Sequence, residues 1–291
     1  MRFLLIGRNG QLGWELQRTC MTLGEVIATD YPEVDISQAA ALRELIRSVK
    51  PDILLNPAAY TAVDKGESEL DRARRVNSIA PGVMAEEMKK LGGALIHYST
   101  DYVFDGEKGT LYTETDTPNP INAYGITKLE GEQAVHSTAG IALTFRTCWV
   151  YSLRAGGFVN KVLGWARQQE VMRIVDDQIG SPTWARMLAE ATAHVIARGG
   201  DDPLAYLQQH SGLYHLAGTG AASRYEWAHE VIERDPKKEE QVVRQILPAK
   251  STEFPNPAHR PVYSALDCSK FVKTFGIPLP DWKISVRLLM G

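Results

Sequence analysis

Apolar residues in the first half of the chain fall into short, evenly spaced runs with helical patterns between them. The runs are Phe3–Ile6, Val26–Thr29, Ile53–Asn56, Ala94–Tyr98 and Ala142–Phe145. Each is brief and continuous, as a parallel strand covered on both faces requires. Helical spacing fills the intervals Gln11–Leu23, Ser37–Val49, Leu70–Leu91 and Asn122–His136. Ser37 has the chemistry of an N-cap, Pro51 follows the end of its helix, and Gly92-Gly93 closes the next one. This alternation predicts an α/β fold built on a doubly wound parallel sheet. Ligands of such sheets lie beyond the carboxyl ends of the strands. The segments Gly7–Gly13, Asn56–Asp64, Ser99–Asp105 and Thr147–Tyr151 all follow strands and are expected to meet in one cleft.

After Trp149 the alternation fades. Helical patterns recur at Phe158–Gln169, Trp184–Arg198 and Tyr225–Asp235, with short apolar runs at Met172–Val175 and Leu213–Leu216. Gly218, Gly220, Pro248, Pro255, Pro257 and Pro261 mark loop-rich stretches. The pattern predicts a dinucleotide-binding domain over residues 1–150. Residues 151–291 are expected to form mainly a smaller, mixed α/β substrate-binding cap, with segments near 171–176 and 213–217 returning to the main sheet.

The first strand runs directly into Gly7-Arg8-Asn9-Gly10-Gln11-Leu12-Gly13 and then a helix. This G-x-x-G-x-x-G is a spacing variant of the dinucleotide fingerprint, in the required strand–loop–helix setting. Glycines permit a tight turn and close approach to a diphosphate, and the helix start points N–H groups at it. Together with the alternation it makes the sheet Rossmann-like. The second run ends at Asp30, 17 residues past Gly13, where a carboxylate meets the adenosine ribose hydroxyls. Such a carboxylate repels a 2′-phosphate and favours NADH, while the loop Tyr31–Asp35 leaves NADPH open.

Thr100 stands just past the fourth apolar run, and Tyr124 and Lys128 sit at i,i+4 on one helix face. An ammonium beside a phenol stabilises the phenolate and lowers a pKa that starts near ~10. A hydroxyl that holds a carbonyl oxygen completes a trio suited to hydride chemistry at a C=O/CH–OH centre.

With 291 residues, 44% hydrophobic and 23% charged, the chain has the make-up of a globular enzyme. A net charge of −3 gives no electrostatic case for nucleic acid or an anionic membrane as partner. No apolar stretch approaches the ~18 residues of a membrane span. Cys20, Cys148 and Cys268 are isolated and odd in number, and read as small buried hydrophobes of a cytoplasmic protein. The strand pattern begins at once, so no signal peptide is expected. His97, His194, His215 and His229 lie in ordinary strand or helix patterns without a visible nucleophile or metal partner, and none is assigned to catalysis.

Several blocks together resemble the extended short-chain dehydrogenase/reductase superfamily and, within it, the dTDP-4-dehydrorhamnose reductases. They are GRNGQLGWEL from Gly7, NPAAYTAVD from Asn56, HYSTDYVF from His97, YGITK from Tyr124, RTCWVY from Arg146, DQIGSPT from Asp177 and HRP from His259. The resemblance runs essentially end to end. It implies NADH- or NADPH-dependent reduction of the C4 keto group of dTDP-4-dehydro-6-deoxy-L-mannose to dTDP-L-rhamnose, within nucleotide-sugar and polysaccharide biosynthesis. In that reading Tyr124 protonates the C4 oxygen and Thr100 orients it. Lys128 lowers the Tyr124 pKa and holds the nicotinamide ribose. The backbone of Gly10, Gln11 and Leu12 faces the diphosphate. Asp35 and Ile36 flank the adenine, and Ala58, Ala59, Tyr60 and Thr61 flank the middle of the cofactor. Asp101 and Trp149 touch the sugar. Arg260 either pairs with the substrate diphosphate or is a solvated surface residue.

Some members of this family dimerise around magnesium held by carboxylates. Glu15 matches one such ligand, but Arg186 stands near where another belongs, and a hard cation needs several oxygens. No metal site is expected, and Glu15 is expected to be an exposed helix residue with Arg18 within pairing reach at i,i+3. Monomer and homodimer both remain open. Two rival functions also stay open. A nucleotide-sugar dehydratase or epimerase shares the fold; a dehydratase carries a Glu where this chain has Tyr102. A non-catalytic, NADP-binding regulatory subunit of the methionine adenosyltransferase type also shares it, but has no need of the full Thr100/Tyr124/Lys128 set.

Overall fold

The computed structural model describes every residue except Ala155. Strands and helices alternate from the start: β1 (Arg2–Ile6), α1 (Gln11–Cys20), β2 (Glu25–Thr29), α2 (Ala39–Val49) and β3 (Ile53–Asn56). A short α3 (Val63–Gly66) leads into α4 (Leu70–Arg74), which continues through a π-helical stretch, Arg75–Ile79, into α5 (Ala80–Leu91). Then come β4 (Ala94–Thr100), α6 (Ala123–Ser137), β5 (Ile141–Thr147), β6 (Val150–Tyr151), α7 (Gly157–Ala166) and β7 (Val171–Val175). The rest comprises β8 (Ile179–Gly180), β9 (Thr183–Trp184), α8 (Ala185–Ala197), α9 (Pro203–Gln209) and β10 (Gly212–His215). It ends with β11 (Ala222–Ser223), α10 (Arg224–Glu233), β12 (Gln245–Ala249), α11 (Ser269–Phe275) and α12 (Trp282–Met290).

Six strands form one parallel sheet in the order β10-β5-β4-β3-β1-β2. From β1 the chain first moves outward to β2, then crosses back to β3 on the other side. The sheet therefore changes direction between β1 and β3, and a crevice opens beyond their carboxyl ends. The strands β3 and β4 are buried at every residue, as the continuous apolar runs require. On one face, α2, α5 and the strands close a core around Leu4, Leu42, Leu54, Met84 and Leu95. On the other, α1 and α8 pack together over Leu5, Leu16, Leu55 and Ile96.

Two expectations about the second half change. The stretch near 171–176 does not return to the main sheet; β7 pairs in parallel with β12 in a separate two-stranded sheet. Its burial alternates, with Met172 and Ile174 inward and Val171 and Arg173 outward. That suits a sheet covered on one face rather than a doubly covered strand. The segment near 213–217 does join the main sheet, as β10 at the edge beside β5, in register from Gly212 opposite Leu143 to His215 opposite Arg146. More of the second half also joins the main body than the pattern suggested. Met187, Leu188, Ala191, Val195, Leu207, Phe271 and Phe275 all lie in the core beneath the sheet. The cap proper is built on Val159, Val162, Met172, Trp227, Trp282 and Val286 from α7, β7, α10 and α12. Among the described residues no helix is long and apolar enough to cross a membrane.

Candidate active site

The loop after β1 turns at Gly7, whose φ is +97°. A Cβ there would stand 3.1 Å from Ala58, because the loop after β3 passes close by. A Cβ on Gly13 would lie 1.9 Å from the Gly7 carbonyl oxygen, so α1 reaches the turn only with glycine at that position. Gly10 is the N-cap of α1, and no side chain caps the helix. Its first N–H groups thus face the crevice unpaired by any side chain, which is what a diphosphate requires. A cleft of about 580 Å³ runs from there past Asp30, Ala58, Ala59 and Thr61 to Thr100, Asp101, Tyr124, Lys128 and Trp149. A side cavity of about 220 Å³ holds Asp35, Ile36 and Tyr60, with Asp30, Ala58 and Ala59 shared between the two. These donors, the glycine cradle and the elongated cleft fit a nicotinamide dinucleotide.

Asp30 is engaged with this loop directly: its carboxylate accepts the Asn9 N–H at 2.8 Å and the Tyr31 N–H at 2.7 Å. The loop 58–61 is held from behind by Asn77. Its side-chain oxygen accepts the Tyr60 N–H at 2.8 Å, and its amide donates to the Tyr60 carbonyl at 3.2 Å and to the Thr127 hydroxyl at 3.1 Å.

Thr100 is the last residue of β4, and its hydroxyl caps a 3₁₀ turn by accepting the Tyr102 N–H at 3.1 Å. It donates to Asp101 Oδ1, also at 3.1 Å. Asn122 caps α6 through the Gly125 N–H at 2.8 Å, and its amide donates to the His259 carbonyl at 2.7 Å. This fixes the helix start and with it Tyr124, whose ring meets that of Tyr102 edge-on at 5.8 Å. Trp149 holds a φ of +45°, a conformation bulky residues seldom adopt. Gly180 makes room for it, since a Cβ there would stand 2.5 Å from the indole. The indole stacks on Trp227 at 5.6 Å, and the Arg224 guanidinium lies 3.5 Å above its ring.

The electrostatics differ from the expectation at Tyr124. Lys128 was expected to acidify it, yet burial pushes the phenol well up, and the adjacent Thr100 hydroxyl only partly opposes that. Lys128 makes no hydrogen bond to Tyr124. Its fully buried Nζ donates to the Tyr98 carbonyl at 2.6 Å and lies 3.3 Å from His97 Nε2. A buried ammonium takes the nearest acceptors, and these are on β4. Burial pulls Lys128 down to about 8. His97, read as an ordinary core residue, is thus the neighbour of Lys128, with Nδ1 at 3.0 Å from the Asn56 amide.

Asp101 is buried without an ion pair. Its Oδ2 accepts from Ser264 at 2.5 Å and from the Cys148 thiol at 3.1 Å. Burial raises its pKa. Cys148 is therefore more than a small hydrophobe. Arg260 lies outside the main cleft and is not a solvated surface residue; it pairs with Asp64 at 2.8 Å. It lines a neighbouring cavity of about 530 Å³ with Phe158, Trp165, Gln178, Arg224 and Phe254. Arg224 links this cavity to Trp149. No sequence signal marked Arg224, because its position follows from the approach of α10 to the cleft.

Two lesser expectations are corrected. Ser37 does not cap α2; its own N–H is bonded to Asp35 Oδ1 at 3.0 Å, and the helix begins one residue later, after Gln38. Arg18 does not pair with Glu15; it donates to the Trp14 carbonyl at 2.7 Å and stacks on the Trp14 ring. Arg186 pairs with Glu190 at 2.8 Å. Among the described residues no three His, Cys, Asp or Glu side chains come together to hold a metal.

Residues 1–290 match the family model described as the RmlD substrate binding domain. A dTDP-4-dehydrorhamnose reductase of Burkholderia thailandensis is 43% identical over 291 residues, covering 99% of this chain and 97% of the relative. The crystal structure of a dTDP-4-dehydrorhamnose reductase from Clostridium acetobutylicum superposes with a TM-score of 0.90 at 34% identity, covering 100% of this chain and 98% of that one. The enzyme of that name from Bacillus anthracis, solved in complex with NADP, superposes at 0.88 and 30% identity, covering 99% and 98%.

Proposed function

From the premise that the chain belongs to the RmlD substrate binding domain family, among the dTDP-4-dehydrorhamnose reductases, we infer that it is an NAD(P)H-dependent oxidoreductase. It reduces the C4 keto group of dTDP-4-dehydro-6-deoxy-L-mannose to give dTDP-L-rhamnose, a nucleotide sugar for polysaccharide synthesis. The observation that carries this reading is the single cleft that joins the glycine-rich loop to Thr100, Tyr124 and Lys128. A regulatory subunit needs the loop but not the acid.

The dinucleotide, when bound, supplies the hydride that adds to C4. Gly7, Gly10, Gln11, Leu12 and Gly13 would hold its diphosphate, with Asp30, Asp35 and Ile36 at the adenosine end and Ala58, Ala59, Tyr60 and Thr61 along its middle. Asp30 suits a free ribose diol, while Arg72 shares the same side cavity and offers a cation to a 2′-phosphate. Both NADH and NADPH are therefore proposed. Thr100 holds the C4 oxygen, and Tyr124 gives it a proton as charge develops there. The raised pKa keeps the phenol loaded through the neutral range. Lys128 supplies the positive charge nearby and a donor for ribose hydroxyls. Asp101, hydrogen-bonded on both oxygens, and Trp149 on its strained turn present a fixed wall to the sugar. The aromatic side chains and paired guanidinium groups of the second cavity suit a thymine base and a diphosphate, which gives Arg224 and Arg260 their place. Three free, buried thiols suit a cytoplasmic setting.

The test mixes the protein, NADH or NADPH and freshly generated 4-keto-6-deoxy-L-sugar nucleotide, and follows the loss of reduced-nicotinamide absorbance. Turnover is expected with the wild type. Tyr124→Phe should lose about 10²–10⁴-fold in turnover while binding NADH about as well as before. Near-normal turnover of that variant refutes the acid assignment, and no oxidation by the wild type refutes the reductase.

A further inference from the structure

Arg154 belongs to none of the groups assigned above, yet it lines the main cleft beside Gly7, Asn9 and Gly10. It follows β6 in the chain and comes back over the mouth of the glycine-rich loop. Its Nε donates to the Asn9 carbonyl at 3.4 Å, and its guanidinium carbon stands 3.5 Å above the centre of the Trp14 ring. The backbone leading to it is tied to the first turn of α1. Gln11 Nε2 donates to the Val150 carbonyl at 3.4 Å, the Ser152 hydroxyl to Gln11 Oε1 at 3.0 Å, and the Arg154 N–H to the Ser152 hydroxyl at 3.2 Å.

What Arg154 lacks is an anion. Among the described residues it takes part in no salt bridge, whereas Arg8, the cation inside the glycine motif, is occupied by Glu33 and by the Ala28 carbonyl at 2.9 Å. Arg154 and Lys128 are the cations lining the cleft, and Lys128 is buried against Tyr98 at the far end. A guanidinium resting over an indole loses little conformational freedom when it binds, and the terminal N–H groups of Arg154 remain available. The side chain thus stands unpaired at the end of the cleft where the uncapped N-terminus of α1 opens.

Resting on the reading that this cleft takes a nicotinamide dinucleotide, we propose that Arg154 is a cofactor-binding residue that clamps the diphosphate against the glycine-rich loop, with Trp14 as its platform. The other role open to it is that of a strut tying residues 150–154 to α1. The two differ in what they recognise. A clamp acts on a ligand that carries the diphosphate and is indifferent to one that lacks it; a strut shapes the cleft for both.

The experiment measures the affinity of the full-length protein for NADH, ADP-ribose and adenosine, by calorimetry for the first two and ligand-observed NMR for the third. Arg154→Ala should weaken NADH and ADP-ribose by about 10–100-fold and leave adenosine within twofold. The loss should shrink as salt is raised. Arg154→Lys should fall between wild type and Arg154→Ala, because charge remains but the planar fork is gone. Trp14→Leu should weaken ADP-ribose by a smaller factor. The proposal is overturned if Arg154→Ala binds ADP-ribose as wild type does, or if adenosine loses as much as ADP-ribose. A wild type that binds neither NADH nor ADP-ribose overturns the cofactor reading and the clamp together; a wild type that binds both, with an unaffected variant, overturns the clamp alone.

Discussion

Lys128 carries the most chemical information per residue, and its surroundings fix how the site responds to pH. Burial makes its ammonium costly and brings its pKa down to about 8. His97 is pushed well below its usual range by burial and by the charges of Lys128 and His136, so its imidazole is neutral at working pH. The tautomer with its hydrogen on Nδ1, facing an Asn56 amide turned to present its otherwise unpartnered oxygen, leaves Nε2 at 3.3 Å as the acceptor for the ammonium. Glu132 acts from the same helix as Lys128 to keep it charged, while Arg146 on β5 is taken up by Glu132 itself at 2.6 Å. Protonated Lys128 prevails below pH 8 and neutral Lys128 above it, while burial keeps Tyr124 protonated across that range. The reduction rate at low substrate should therefore fall as pH rises through about 8, and the limb belongs to Lys128. His97→Leu removes an acceptor that favours the charged form, and should move this limb to lower pH by roughly half a unit to one unit. The measurement is kcat/KM against pH for both proteins. A limb that stays in place with His97 removed would show that the imidazole does not act on the ammonium.

The elements that hold the site divide by how local their causes are. The glycine-rich loop was legible because strand, turn and helix start are each specified by neighbours in sequence. So was the i,i+4 placement of Tyr124 and Lys128 on α6. The π-helical stretch Arg75–Ile79 was not, since its sequence continues an ordinary helical pattern. Within it Asn77 reaches two backbone groups of Tyr60 and the Thr127 hydroxyl, partners at 17 and 50 residues' separation that local pattern does not encode. Extra turns of this kind often mark functional sites. Likewise Ser37 looked like a cap, but the preceding Asp35 takes its N–H, and the helix waits one residue. Asn77→Ala would leave both backbone groups of Tyr60 without that partner and a hydroxyl short of one donor. It should cost about 2–4 kcal/mol in denaturant unfolding, and it should raise the KM for the dinucleotide by freeing the loop 58–61. A stability within about 0.5 kcal/mol of wild type would show that water replaces the amide there without loss.

At the scale of the whole molecule, the chain does not divide where its pattern divides. Alternation ends near Trp149, and a boundary at residue 150 was the natural reading. Burial places the boundary elsewhere, because a sheet face must be covered by something and local pattern does not say by what. The face bearing Phe3, Leu5, Ile53, Leu55, Ile96 and Phe145 is closed by Met187, Leu188, Val195, Ile196, Leu207, Phe271 and Phe275, all from beyond residue 150. The edge of β5 is closed by β10. A fragment ending at 150 would keep the glycine-rich loop, Thr100, Tyr124 and Lys128 in sequence, but would leave α1 alone over this sheet face, exposing the rest of it together with an unpaired strand edge. Each fully exposed Leu, Ile or Phe forfeits about 1.5–3 kcal/mol, so losing cover from several of them exceeds the net stability of a typical domain. The intact chain should therefore melt in one cooperative transition, and the 1–150 fragment should show neither a cooperative melt by circular dichroism nor binding of ADP-ribose. A fragment that melts sharply and binds ADP-ribose would mean that the first half folds unaided, and that the α1–α8 contact adds to a core already complete.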